Sequence, residues 1–316
     1  MKFMDRVRIV MAEKRLADST CRSYCGWVRS YIRFHGVRHP REMGGEEVVA
    51  YLNHLAVERK VAAGTQNQAL NALVFLYRNV LGAPLPDAME GLTPAKRRKR
   101  PPVVLSHQEA LRIIEALDPD VRLPVKLMYG AGLRVGEALS LRIKDVDLEV
   151  GRLMVYEAKQ KDRYTVMPVS LRESLEVQIE RARVRFEKDV AAGAGSVRLP
   201  EALARKLPAA HRELRWQFLF PASRLTLNEG TGIEGRWHAH RSPVQKAVRN
   251  ATERAGINKR VTCHTFRHTF ATELLRGGTD IRTIQRLLGH TSVKTTMIYT
   301  HILNRGPLGV VSPLDR

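Results

Sequence analysis

Cysteine is scarce in this chain: Cys21, Cys25 and Cys263 are the three in 316 residues. An odd number in a chain this long argues against a disulfide framework. Cys21 and Cys25, with one distant third thiol, also lack the second pair a structural zinc site needs. The three are expected to be reduced and structural. Long apolar runs are missing as well. Nothing approaches the ~18 apolar residues that cross a bilayer, and the stretch from Ala69 to Val80 is broken by Asn71 and Arg78. The first sixteen residues interleave Asp5, Arg6, Arg8, Glu13, Lys14 and Arg15 with apolar ones, so the apolar core of a secretory signal is absent and a cytoplasmic protein is expected. Glycine (22) and proline (15) are too few for a fibrous or low-complexity chain, and a 44% hydrophobic content over 316 residues suits two cored domains. Negative charge is in deficit. Against 53 Lys plus Arg stand 32 Asp plus Glu, a formal net charge of +21, which favours a polyanionic partner such as nucleic acid or an anionic membrane surface.

What is present reads mainly as helix with a small sheet. Ser19 to His35 carries Tyr24, Trp27, Val28, Tyr31 and Ile32 at helical spacing and stops at Gly36; Glu46 to Arg59 and Thr65 to Val80 repeat the pattern. These form a helical bundle, the first domain, over 1–90. From 91 to 102 the pattern gives way to Gly91, Pro94, the basic run Lys96, Arg97, Arg98, Lys99 and Arg100, and two prolines. That is linker composition, placed so that the basic run can lie along phosphates. The second domain, 103–316, opens with the capping box Ser106 to Glu109. Helices follow to Leu117, over 122–129 and over 134–141. Strands at 152–156 and 164–168 then flank the charged tip Lys159 to Arg163. A long helix over 171–191, an insertion at 192–216, a short strand at 218–220, and helices over 243–255, 264–276 and 280–288 come next. A last helix carries Tyr299 ahead of a tail at about 303–316.

Four separated pieces carry chemistry together, though each alone has an ordinary surface or core reading: Gly132 to Glu137 with Arg134, Lys159 on the hairpin, His264 with Arg267, and His290 with Tyr299 nine residues on. His264 and Arg267, at i and i+3, share one helix face. Two arginines, two histidines, a lysine and a tyrosine without clustered carboxylates suit phosphoryl transfer on a phosphodiester with no metal or other cofactor. Guanidinium forks grip the non-bridging oxygens as charge accumulates there, whereas a two-metal nuclease needs several converging carboxylates. A tyrosine, with its pKa of ~10, needs such cationic surroundings to act as a nucleophile.

With these residues in place, the chain resembles the tyrosine recombinases, the λ-integrase family, over nearly its whole length. The resemblance implies an α+β protein, a helical core-binding (SAM-like) domain plus a catalytic domain, closing on DNA as a C-shaped clamp. It implies that Arg134, His264, Arg267 and His290 bind the scissile phosphate, that Lys159 protonates the leaving 5′ oxygen, that Tyr299 attacks, and that Glu137 supports. The hairpin tip is one residue shorter than the family's Lys-Gly-x-Lys-x-Arg form, so Lys161 competes with Lys159, which is preferred. Lys161, Arg163 and the run Lys96 to Arg100 are expected DNA contacts. Within the family, Arg33 to Pro40, the insertion containing Leu199 to Leu203, and Thr295 to His301 are most like integron integrases. That likeness implies a bacterial recombinase acting on folded single-stranded hairpins with extrahelical bases as well as on duplex. Trp237, His238 and Trp216 would then stack on flipped bases, with packing under the insertion an equal reading for Trp216. The family pattern has two histidines where this chain has Trp237 and His238. A homotetramer on two sites, joined by exchange of the C-terminal tail, is the implied assembly. A Xer- or phage-type enzyme on duplex, a topoisomerase of type IB and a non-cutting DNA-binding regulator are the alternatives.

Overall fold

The computed structural model describes residues 2–85, 90–95, 102–156, 162–228 and 231–302. The basic run Lys96 to Arg100, both hairpin lysines Lys159 and Lys161, and the tail from 303 lie outside the described residues. The chain divides into two compact units, Met1–Arg100 and Pro101–Arg316.

The first unit is helical: α1 (Phe3–Glu13), α2 (Asp18–Phe34), α3 (Gly45–Asn53) and α4 (Ala63–Phe75). The helical spacing read from the sequence is the spacing of burial, with Val28 and Tyr31 of α2 meeting Val48, Tyr51 and Leu52 of α3 and Leu73 of α4 in one core. Helix α1 was not anticipated; Val7 and Met11, at i and i+4, are its buried stripe. Both α3 and α4 widen at their ends into π-helical turns, His54–Glu58 and Leu76–Leu81. The second of these brings Tyr77 to hydrogen-bond Tyr31, oxygen to oxygen at 2.8 Å. Cys21, Cys25 and Cys263 are all free thiols.

The second unit mixes helix with two small sheets. Helices α5 (His107–Glu115), α6 (Pro119–Gly130) and α7 (Val135–Ser140) precede a three-stranded antiparallel sheet of β1 (Val146–Asp147), β2 (Arg152–Val155) and β3 (Arg163–Val166). Next come α8 (Arg172–Ala191), α9 (Glu201–Lys206) and the hairpin β4 (Thr226–Asn228) with β5 (Ile233–Gly235). Helices α10 (Arg241–Arg254), α11 (Cys263–Arg276), α12 (Ile281–Leu288) and α13 (Val293–Thr296) complete it, and α13 runs into a 3₁₀ segment, Met297–Ile302, that carries Tyr299. The Ser106 capping box forms: the Ser106 hydroxyl accepts from the Glu109 amide at 3.1 Å, and the Glu109 carboxylate accepts from the Ser106 amide at 2.7 Å. The main core gathers Ile113, Leu127, Leu139, Leu153, Val248 and Phe266.

Two expectations need correction. Phe218 to Phe220, expected as a strand, is held by isolated bonds on both sides: Phe218 bridges Arg142, the Leu219 amide reaches the Leu141 carbonyl at 2.8 Å, and the Phe220 carbonyl accepts from the Ala239 amide at 2.7 Å. Its run of apolar residues reflects burial on all sides, with exposures of 4%, 0% and 6%, rather than pairing in a sheet. The β4–β5 hairpin was not foreseen, and it seats the 192–216 insertion. Ser196 donates its amide to the Glu234 carbonyl at 3.2 Å. A Cβ built on Gly235 would lie 1.4 Å from the Ser196 oxygen, so only glycine permits this approach. Beside it, Arg236 grips Asp189 at the end of α8 through two bonds of 2.6 and 2.8 Å.

Candidate active site

Helix α7 starts the site. Arg134 is its N-cap, and the Arg134 amide donates to the Glu137 carboxylate at 2.8 Å while the Arg134 guanidinium bonds the same carboxylate. Arg163 of β3 reaches Glu137 at 2.8 Å, and Arg267 of α11 at 3.4 Å. Three cations therefore share one anion. Burial alone would raise the Glu137 carboxyl, but the Arg163 hydrogen bond and charge, the Arg134 amide and Arg267 outweigh it and hold the group at about 2. Glu137 brings one negative charge to three guanidiniums, an arrangement suited to a phosphodiester.

Arg267 is fully buried, at 0% exposure. Its guanidinium donates to the Gly132 carbonyl at 2.7 Å and to the Leu288 carbonyl, and its Nε is a buried donor without a partner in the structure. Burial, then Arg134, lowers its pKa to about 10, which leaves it cationic at neutral pH. Gly132 sits at φ +67°, and a Cβ there would lie 2.5 Å from the Phe270 ring. The turn that presents its carbonyl to Arg267 thus depends on glycine.

Arg163, expected as a DNA contact, is only 8% exposed and turns inward: besides Glu137 it donates through Nε to the Leu287 carbonyl at 2.9 Å. The last two carbonyls of α12, Leu287 and Leu288, are thereby each held by an arginine, Arg163 and Arg267. These cations complement the negative end of α12. Gly289 ends that helix in the left-handed conformation at φ +65°. His290 follows, fixed through its backbone to Gln285 (N to O 3.1 Å, and Gln285 Nε2 to O 2.9 Å) and through Nδ1 to the Thr296 hydroxyl at 2.9 Å.

Tyr299 is buried at 2% exposure among Phe270, Ala271, Ile284 and Leu288. Its ring stacks beside His290, with centroids 6.4 Å apart and planes 16° from parallel. Its hydroxyl bonds Nδ1 of His268 at 2.9 Å. Burial pushes the phenol above its ordinary 10 against the pull of Arg267 and Arg134, so the resting hydroxyl is protonated. Burial also lowers the histidines: His290 to about 4, helped by Arg267, Arg134 and Arg163, and His268 to about 4, helped by His264 and Arg267. His264 retains an exposed surface, and the covered part of its ring, with Arg267 and Arg134, holds its pKa below the ordinary value. The described residues thus bring together Arg134, Glu137, His264, Arg267, His290 and Tyr299, and they add Arg163 and His268. The signal for His268 was present in the sequence, since it lies four residues after His264 and so shares its helix face; its ring meets that of His264 edge-on at 4.5 Å. Among the described residues, no three His, Cys, Asp or Glu side chains gather as metal ligands would.

A second cluster lies in the same unit. Trp237 and His238 both pack on Phe218, with centroids at 5.6 and 5.4 Å, and Trp237 remains 40% exposed. Arg142 stands 4.5 Å from the Phe218 ring and 5.9 Å from that of Trp216; Lys144 stands 4.6 Å from Trp216 and 4.2 Å from Tyr156; Arg198 stands 5.9 Å from Trp237. Trp216 itself packs beneath the insertion against Val197, Leu199, Ala210 and Phe218. Arg142, Lys144, Tyr156 and Phe218 were missed, because only the fold brings their scattered positions beside the tryptophans.

With this geometry established, similarity to known proteins is informative. Residues 103–305 match the phage integrase family, and residues 3–87 match the N-terminal SAM-like domain of phage integrases. An "Integrase/recombinase" of Escherichia coli and another of Pseudomonas aeruginosa are each 46% identical over all of this chain and 94% of their own length. Tyrosine recombinase XerA of Thermococcus kodakarensis is 30% identical over 90% of this chain and 84% of its own. Among solved structures, a λ integrase dimer bound to a COC′ core site superposes with a TM-score of 0.62 at 19% identity, covering 96% of both chains. XerH bound to palindromic difH substrate gives 0.62 at 17% identity, covering 90% of this chain and 77% of that one. These two likenesses concern the fold.

Proposed function

Since the chain belongs to the phage integrase family and is a site-specific tyrosine recombinase that breaks and rejoins DNA, we propose that Tyr299 is its nucleophile and that it acts as an integron integrase on folded hairpin DNA. Arg134, Arg267, His264 and His290 hold the non-bridging oxygens of the scissile phosphate, and Glu137 orients the two arginines. The Tyr299 hydroxyl gives up its proton to water as its oxygen bonds to phosphorus and the bond to the 5′ oxygen breaks; Lys159 gives that leaving oxygen a proton, and a 3′-phosphotyrosyl linkage remains. Attack by the 5′-hydroxyl of a partner strand reverses the chemistry onto a new strand. Two cuts on each of two sites call for a homotetramer, joined by the tail from 303, in the cytoplasm.

The observation that carries the reading of the site is the convergence of Arg134 and Arg267 on Glu137 while Tyr299 packs on α11, the helix that carries Arg267, against the rings of His290 and His268. Hairpin specificity is supported by the aromatic and cationic cluster around Phe218, which holds Trp237, His238 and Trp216 together beside the insertion. An exposed indole edged by Arg198 offers a π-face for an extrahelical base. A second reading is a Xer-type recombinase acting on ordinary duplex; the chain is 30% identical to a protein named tyrosine recombinase XerA.

The test is covalent protein–DNA adduct on denaturing gels, with a bulged single-stranded hairpin and its fully matched duplex, with and without chelator. Wild type should form adduct on the hairpin in either condition, and Tyr299→Phe should form none. Adduct with Tyr299→Phe would overturn the nucleophile, adduct lost to chelator would overturn metal independence, and preference for the matched duplex would favour the second reading.

A further inference from the structure

The assignment of Tyr299 as nucleophile leaves one contact unused: its hydroxyl bonds the imidazole of His268, at 2.9 Å through Nδ1. His268 lies in the middle of α11, one residue after Arg267 and one turn after His264. Its ring is fixed on two sides, by the edge of His264 at 4.5 Å and by the Tyr299 ring at 5.5 Å. An imidazole so placed has few orientations open to it, and neither does the hydroxyl it bonds.

We infer that His268 is a positioning residue for the cleavage reaction: its Nδ1 accepts the Tyr299 O–H, so that the oxygen presents its lone pairs rather than its proton to the incoming phosphorus. Attack on phosphorus requires a lone pair on the line of displacement, and a phenol free to rotate about its C–O bond spends much of its time with the proton in the way. His268 is half-buried beside Arg267 and His264, whose charge and covering keep it neutral at physiological pH, so Nδ1 has a lone pair to offer. The same surroundings make it a poor store for a proton. Orientation of the hydroxyl, rather than removal of its proton, is therefore the role assigned.

The inference rests on Tyr299 being the nucleophile, and the experiment separates the two. Full-length protein is given a nicked suicide substrate, and the single-turnover rate of covalent adduct is measured at saturating DNA, with DNA affinity by anisotropy and thermal unfolding measured in parallel. Asparagine places an amide where Nδ1 stands, and glutamine places it near Nε2. His268→Asn should retain the wild-type rate within about threefold, whereas His268→Gln and His268→Ala should be slower by about tenfold, the rate equivalent of one hydrogen bond. DNA affinity should be unchanged in all three. If His268→Ala cleaves at the wild-type rate, or if the Asn and Gln variants are equally slow while folded and DNA-bound, the inference is overturned although Tyr299 stands. If wild type gives no adduct, or Tyr299→Phe still gives one, the nucleophile assignment fails first and takes the inference with it.

Discussion

Three guanidiniums meet at Glu137, and its carboxylate offsets the repulsion their closeness brings. Removing it leaves Arg134, Arg163 and Arg267 to repel one another in a largely buried place. Glu137→Gln should therefore cost about 3 kcal/mol of stability, the usual penalty for breaking a buried ion pair from one side. The acid limb of stability should change with it. In the fold the carboxyl is held at about 2 against an ordinary 4.5, so the unfolded chain takes up that proton first, and its contribution, complete above 4.5, is lost as pH falls toward 2. His268 and His290 act at higher pH: held at about 4 against an ordinary 6.5, they too are protonated first in the unfolded chain, and stability declines as pH falls from 6.5 toward 4. Urea titrations between pH 2 and 8 should show both windows in wild type and a shallower lower one in Glu137→Gln, since Glu47, Glu109 and Asp280 are also held below their ordinary values and keep part of it. Gly132→Ala tests the neighbouring turn. A methyl group 2.5 Å from the Phe270 ring, on a backbone at φ +67°, should cost about 3 kcal/mol. It should also slow adduct formation by displacing the carbonyl that holds Arg267. Residues at this scale were legible where chemistry fixed their type: the spacing His264, Arg267, His290 and Tyr299 names side chains that the fold does bring together. Arg163, expected as a DNA contact, turns inward, and its place beside a charged hairpin tip gives no sign of the buried carboxylate it meets.

Among the elements, α12 gains most from its neighbours. It has eight residues, Ile281–Leu288, too short to be stable alone, and yet it positions His290. Its start is capped by the Asp280 carboxylate, which accepts from the Arg282 and Thr283 amides at 2.9 Å each, and its end by Arg163, Arg267 and Gly289. Arg163→Leu cuts the bond between β3 and the Leu287 carbonyl. The expected result is faster hydrogen exchange at the Gly289 and His290 amides, which close the last turn of α12, and slower cleavage with DNA affinity intact. Unchanged protection at those two amides would show that Arg267 and Gly289 suffice. Periodicity and caps made most helices legible within a residue or two, α2 and α11 among them, because a helix draws its signal from a continuous stretch of sequence. The Phe218 to Phe220 segment and the β4–β5 hairpin were harder. What decides between a paired strand and a buried connector is whether a continuous partner strand lies alongside, and this segment meets isolated bridges, Phe218 to Arg142 and Pro221 to His238.

For the whole molecule, a charge of +21 predicts affinity that is strong and salt-sensitive, and it says little about which DNA is chosen. Affinity and choice should therefore be separable by mutation. Replacing Lys96, Arg97, Arg98, Lys99 and Arg100 by glutamine should weaken binding to a bulged hairpin and a matched duplex in similar proportion. It should also flatten the plot of log affinity against log salt by about 0.9 on duplex for each of the five that neutralises a phosphate. Trp237→Ala leaves the charge untouched. It should leave that slope unchanged and lower affinity for the bulged hairpin alone, by an amount near the ~1–3 kcal/mol of one stacked base. Anisotropy titrations of both DNAs across a potassium chloride series, for both variants, read these effects directly. A basic-run variant with the wild-type slope would remove phosphate contact from that run. A Trp237→Ala protein that loses hairpin and duplex affinity equally would place the indole in the packing around Phe218 instead of against a base.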